Sequence, residues 1–162
     1  MSNILVQNIK HTNNTTAMTI NTSGHVATDT IKGNTSAGSI SIVGEGGSNT
    51  TNLQQGLAKA WVNFNGTSVD SNVDLTGVRD SFNISSIVDN STGDQTVNLS
   101  NAMGNDNYVF TATGGGTSAS LSVRIENPNN RSTTTIDLLC FNTSSSQIDM
   151  LDVNCLFHGD LA

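Results

Sequence analysis

The sequence predicts an all-β protein: an antiparallel β-sandwich of jelly-roll-like type, preceded by an extended N-terminal arm with short strands and one short helix. Three observations predict it. Apolar residues alternate with polar ones in short runs, at roughly ten-residue spacing through the C-terminal two thirds. The runs are separated by Asn-, Gly-, Asp- and Ser-rich turns, and Pro occurs once. Only one stretch has a helical start signal and good helix formers.

Residues 1–50 read as the arm, serving attachment and trimerisation. Ile4 and Val6 alternate, as do Met18 and Ile20, and Ile9 stands between them. Polar turns such as Asn13-Asn14-Thr15 and Ser23-Gly24 separate these runs. Such short strands bury little alone and gain by sharing a narrow apolar interior among three copies. A frayed terminal tail is the other reading. Ser39–Val43 is a further strand, and Gly44–Asn49 a flexible break that sets the boundary between the arm and a 51–162 domain. No Gly-Lys-Ser/Thr follows that glycine run, so nucleotide binding is not expected.

Thr51 followed by Gln54 reads as a capping box, and Leu53 and Leu57 share a face, which predicts a helix near 52–59 weakened by Gly56. Strands follow at 60–65, 80–88, 95–100, 107–113, 118–126, 134–142 and 147–158. Their alternation nominates Phe82, Ile84, Val97, Leu99, Val123 and Ile125 as core.

Composition narrows the function classes. Hydrophobic residues at 35% give a thin core for a lone chain, which favours self-association. With 6 Lys+Arg against 13 Asp+Glu the formal charge is −7, so no basic patch is available for nucleic acid. No apolar run reaches the ~18 residues of a membrane span. Met1–Val6 lacks a basic start followed by a long apolar stretch, so synthesis in a cytoplasm without a signal peptide is expected.

A catalytic reading finds little support. His11, His25 and His158 are scattered, and neither a Gly-x-Ser-x-Gly elbow nor a His-Glu-x-x-His motif occurs. Asp149, Asp152, Asp160 and His158 form a modest acidic group, weighed as a metal site against solvated strand-face carboxylates. Asp89, Asp94 and Asp106 read as turn residues. No cofactor, metal or enzymatic activity is expected. Arg79 and Asp80 should point to opposite faces and pair structurally. Cys140 and Cys155 are either buried free thiols or a disulfide between paired strands. Trp61 and Tyr108 are the candidate receptor or glycan contacts, since ring faces stack on sugar C–H groups; half-buried core residues are the alternative.

The run Gly56–Thr67, then Arg79–Asn90, Gly93-Asp94, Thr96–Leu99 and Ala102–Tyr108 resembles a module of fibre and appendage proteins of tailed bacteriophages. Residues 1–50 resemble the short leader that such proteins carry. The Val69–Thr76 link is longer than usual, and Gly104 stands where a Pro or another turn former is common. The resemblance implies a homotrimeric virion component that contacts other tail or capsid proteins and is involved in host adhesion. A capsid decoration or head-fibre protein is the alternative, and a carbohydrate-binding module for a host-surface glycan a second one. No catalytic residues come with the module.

Overall fold

The computed structural model describes residues 8–10, 16–20, 22–28, 30–32, 40–43, 47, 49–116, 122–125 and 130–162. The chain divides into two compact units, Met1–Ile40 and Ser41–Ala162. In the first, β1 (Asn8–Lys10), β2 (Thr16–Ile20) and β3 (Val26–Ala27) form a three-stranded antiparallel sheet in that order. Ile9 pairs with Met18 and Ile20 with Val26 in the backbone register. Gly24 takes a left-handed φ of 79° between β2 and β3, where the Ser23-Gly24 turn is expected. Ile4 and Val6 lie outside the described residues.

The second unit begins with β4 (Ser41–Val43), which pairs antiparallel with β5 (Thr50–Asn52). The glycine-rich run 44–49 therefore joins two paired strands, and the division between units falls earlier than the 50/51 boundary read from the sequence. The helix is also shorter than expected. It spans α1 (Leu53–Gly56), and its N-cap is Asn52 rather than Thr51, with the Asn52 side-chain oxygen accepting from Gln55 N at 3.0 Å. The chain is extended at Leu57, and Lys59 N already bonds Phe157 O at 2.8 Å, so residues 57–59 lead into a strand. The buried Lys59 ammonium donates to the Gln54 carbonyl, which also accepts from Leu57 N, and to the Leu57 carbonyl at the helix end.

Eight strands build a sandwich: β6 (Ala60–Phe64), β7 (Val78–Phe82), β8 (Ile84–Ser91), β9 (Asp94–Leu99), β10 (Val109–Gly115), β11 (Ser122–Ile125), β12 (Thr135–Phe141) and β13 (Asp152–His158). One sheet has the order β10-β13-β6-β7, the other β11-β12-β9-β8, and every pairing is antiparallel. The expected antiparallel sandwich is thus present. β6, β9, β12 and β13 bury alternate residues, as a strand with one face on a core must. Ala60, Val62, Phe64, Val153, Cys155 and Phe157 from the first sheet meet Ile84, Ile87, Val97, Leu99, Ile136, Leu138 and Cys140 from the second in one buried cluster. Val123 packs against it, half-buried. Ile125 pairs with Leu138 in the backbone register. Both cysteines are free and buried, and Cys140 donates to Gln95 Oε1 at 3.6 Å.

Phe82 departs from the expected core: it is 52% exposed, whereas Ile84 is buried. The single strand read over 80–88 is two strands in different sheets. Between them Asn83 adopts a left-handed φ of 59°, which Asn tolerates better than most residues. The turn cancels the period-two rule, so Phe82 faces outward from the first sheet and Ile84 inward from the second. Arg79 and Asp80 show a second parity failure. A bulge leaves Arg79 as an extra residue between the Phe64–Val78 and Asn63–Asp80 pairs, and both side chains reach the outer face.

Gly93, in the β8–β9 turn, has φ 71°, and a Cβ there would lie 2.6 Å from Ile148 N and 2.7 Å from Cys140 O. Gly93→Ala is expected to cost about 2–3 kcal/mol through strain and backbone displacement. Urea denaturation should show a lower midpoint at an unchanged slope.

Candidate functional site

The outer face of the β10-β13-β6-β7 sheet brings unlike residues into two parallel rows. The register aligns Phe82 with Trp61, Trp61 with Leu156, and Leu156 with Thr111, which gives a largely apolar row across four strands. Two residues along each strand, Asp80, Asn63, Asn154 and Thr113 align as a polar row. At about 3.3 Å per residue the rows lie about 7 Å apart. Together they line a shallow concavity of about 420 Å³ that includes Trp61, Asn63, Asp80, Thr111, Asn154 and Leu156. Phe82 adjoins it, paired with Trp61.

The polar row is held by a hydrogen-bonded lattice. Asn63 Nδ2 donates to Asp152 Oδ1 at 2.6 Å and to Asn154 Oδ1 at 2.8 Å. Asn154 Nδ2 donates to Asp152 Oδ2 at 3.2 Å. Arg79 Nη1 bonds Asp152 Oδ1 at 2.6 Å and Asn63 Oδ1 at 3.2 Å, while Nη2 donates to Leu151 O. The Asn63 amide above all, with Asn154 and Arg79, holds the Asp152 carboxyl below its ordinary value of 3.8 against partial desolvation. This ion pair is about half exposed and adds little stability; it fixes the direction of the amides.

Of the two expected contact residues, Trp61 lies on this face and Tyr108 does not. Tyr108 is 4% exposed, and its hydroxyl donates to Ser132 O at 3.1 Å and Thr135 O at 3.3 Å. Its ring stands 6.0 Å from that of Phe157 and carries the Arg131 guanidinium at 5.1 Å. Tyr108 is therefore a core residue, the alternative the sequence allowed, and it is too buried to serve as a contact. Phe82, expected in the core, is the aromatic residue that stands beside Trp61 in the register. The outward parity of Trp61 with Asn63, and of Asn154 with Leu156, is visible in the sequence; that the two pairs lie side by side depends on register.

The C-terminal carboxylates separate in role. Asp149 is not a solvated strand-face group: its Oδ1 accepts from Gly93 N at 2.7 Å and from Gln95 Nε2 at 3.2 Å. Asp89 lies in β8 rather than in a turn, with Oδ1 buried and unpartnered. Desolvation, then the charges of Asp149, Asp94 and Asp70, push its carboxyl above the ordinary 3.8. Among the described residues no group of three or more His, Cys, Asp or Glu side chains is placed to hold a metal ion. No protein-family model, curated protein or solved structure matches the chain.

Two titrations follow from these environments. Burial pushes the Tyr108 phenol from 10.0 up to about 12. As the only Tyr in the chain, its tyrosinate absorbance should show a midpoint near 12 in the folded protein and near 10 after denaturation. Between those values the folded chain keeps a proton that the unfolded chain has lost, so stability falls as pH rises through the window. The buried Cys140 thiol, raised from 9.0 to about 11, acts in the same direction.

Asp89 also has a raised folded value, so its charge costs stability once pH climbs above the ordinary carboxylate range. Asp89→Asn should raise the melting temperature at pH 7, and calorimetry should show the gain shrinking as pH falls toward 3.8.

Proposed function

We propose that this chain is a structural and adhesive subunit of a tailed-bacteriophage particle. It works as a homotrimer, with the sandwich as the contact-making part and the N-terminal segment as the attaching part. The observation that carries this reading is the set of apolar side chains left in water ahead of the sandwich. The sandwich closes one continuous interior of aliphatic and aromatic residues. Ahead of it, among the described side chains, apolar groups lie in water: Val26 is 58% exposed, Ile31 65%, Ile42 53% and Val43 57%. Short strand pairs with apolar side chains left in water gain by covering them against further copies or a neighbouring protein. Three-fold repetition also multiplies weak contacts with a host surface.

The resemblance of the central stretch supports the same setting. Its quoted runs supply β6, β7, β8 and β9, two from each sheet of the sandwich, and end at the buried Tyr108. The proposed role is non-enzymatic and needs no cofactor.

Two measurements test this reading. Light scattering of the purified chain should give a mass three times the 16.9 kDa of one chain, and a monomeric mass overturns the trimer. A gold label on the chain in assembled particles should decorate tail appendages in negative stain. Label on the head replaces the fibre reading with a decoration protein, and the lack of label on any particle overturns both.

A further inference from the structure

We propose that the Trp61 face of the first sheet is a binding site for neutral saccharide. The inference deepens the adhesive reading and rests on it only for the origin of the sugar, which would be a host-surface glycan.

A pyranose ring presents a patch of C–H groups on one face and hydroxyls around its rim. It needs a flat apolar platform beside oriented donors and acceptors. The Phe82–Trp61–Leu156 row supplies the platform, and the Asp80–Asn63–Asn154–Thr113 row lies alongside it across the same four strands. About 7 Å between rows, at ~3.3 Å per residue, is the scale of a single sugar ring. A purely apolar partner would leave the polar row without water or bonds, which is costly. A purely polar partner would gain nothing from the exposed Phe82 and Leu156.

Pre-organisation points the same way. The Asn63 and Asn154 amides are already oriented by Asp152 and Arg79, so they lose little freedom on meeting a ligand. Their remaining acceptor capacity, the Thr111 and Thr113 hydroxyls and the second oxygen of Asp80 are available to sugar hydroxyls.

Charge decides the class of sugar. The face holds two carboxylates, Asp80 and Asp152, against the single Arg79, whose guanidinium is already bonded to Asp152, Asn63, Phe64 O and Leu151 O. A uronic or sialic acid would meet net negative charge on a chain of charge −7, with no free cation to receive it. Neutral hexose and N-acetylhexosamine units meet no such penalty. Since Asp152 ionises below the ordinary carboxylate range, the lattice and the site persist through mildly acidic pH.

Trp61 is the only Trp in the chain, so its fluorescence reports this face alone. The intact protein is titrated with cellotetraose, chitotetraose, maltotetraose and mannotetraose, and with tetragalacturonate as the acidic control. At least one neutral oligosaccharide should shift or quench Trp61 emission saturably, and the acid should bind at least tenfold more weakly. The same neutral sugar, followed by calorimetry, should bind Trp61→Ala at least tenfold more weakly and Asn154→Ala several-fold more weakly. Circular dichroism establishes that each variant is folded; should Trp61→Ala not fold, Trp61→Phe and Asn154→Ala carry the comparison.

Failure of all four neutral sugars to perturb Trp61, tighter binding of the acid, or unchanged affinity in the folded variants overturns the site. Emission that shifts with protein concentration alone, together with failure of all four sugars, assigns the face to a second copy and also overturns it. A chain found on phage particles that binds no sugar defeats this inference and leaves the adhesive subunit standing. A sugar-binding chain that is monomeric and absent from particles does the reverse.

Discussion

The outer face of the first sheet depends on one backbone event, the left-handed turn at Asn83. There the chain leaves β7 at the edge of one sheet and enters β8 at the edge of the other. Asn83 Nδ2 donates to Lys59 O at 3.0 Å and Asn101 O at 3.2 Å, and its Oδ1 accepts from Asn101 N at 2.7 Å and Asn101 Nδ2 at 2.9 Å. The side chain thereby ties the entry to β6 and the exit from β9 to the point where the sheets join. A residue with a longer or branched side chain would lose these bonds and would resist the positive φ. Because the turn separates Phe82 from Ile84, one strand delivers an aromatic to the surface while the next delivers an aliphatic to the core.

The interior depends on a polar residue as much as on apolar ones. Gln95 is fully buried, with Nε2 on Asp149 and Oε1 receiving the Cys140 thiol. Asp149 in turn receives Gly93 N at the β8–β9 turn, and Cys140 N bonds Gly93 O at 2.8 Å. These contacts connect the turn, the strand beside it and the approach to β13. A buried amide with both ends satisfied favours one register over its neighbours, since a slip would strand its polar atoms. Asp89, close by, carries the electrostatic cost of crowding carboxylates at this end of the sandwich.

How much of this was legible follows from what each strand faces. β6, β9, β12 and β13 were plain in the sequence, because a strand with one buried face must alternate, and Val97, Leu99 and Ile84 are core as expected. The pairing of β13 with both β6 and β10 was not legible, since non-local register leaves no local signature, and the site is made by that pairing. Asn83 and the bulge at Arg79 each add an irregularity that shifts parity, and each turns one residue against the alternation: Phe82 outward rather than inward, and Arg79 to the same face as Asp80. For Tyr108 the sequence leaves core and contact both open, since an aromatic at a strand start suits either; its hydroxyl, on two carbonyls inside, decides for the core.

Trp61 illustrates how scaffold and site share a strand here. β6 pairs on both sides, with β13 and β7, and buries Ala60, Val62 and Phe64 without remainder. Its inward residues leave it no freedom to slide or twist, so Trp61 and Asn63, which alternate with them, are presented at fixed spacing. The neighbours on either side add outward residues in register and the Arg79 bulge adds the cation that locks the amides. A face built on paired strands loses less to motion than one built on loops, because its ordering cost was met when the core formed. Changing the outward residues while keeping the inward ones would therefore change the chemistry of this face with little effect on the core that holds the strands in register.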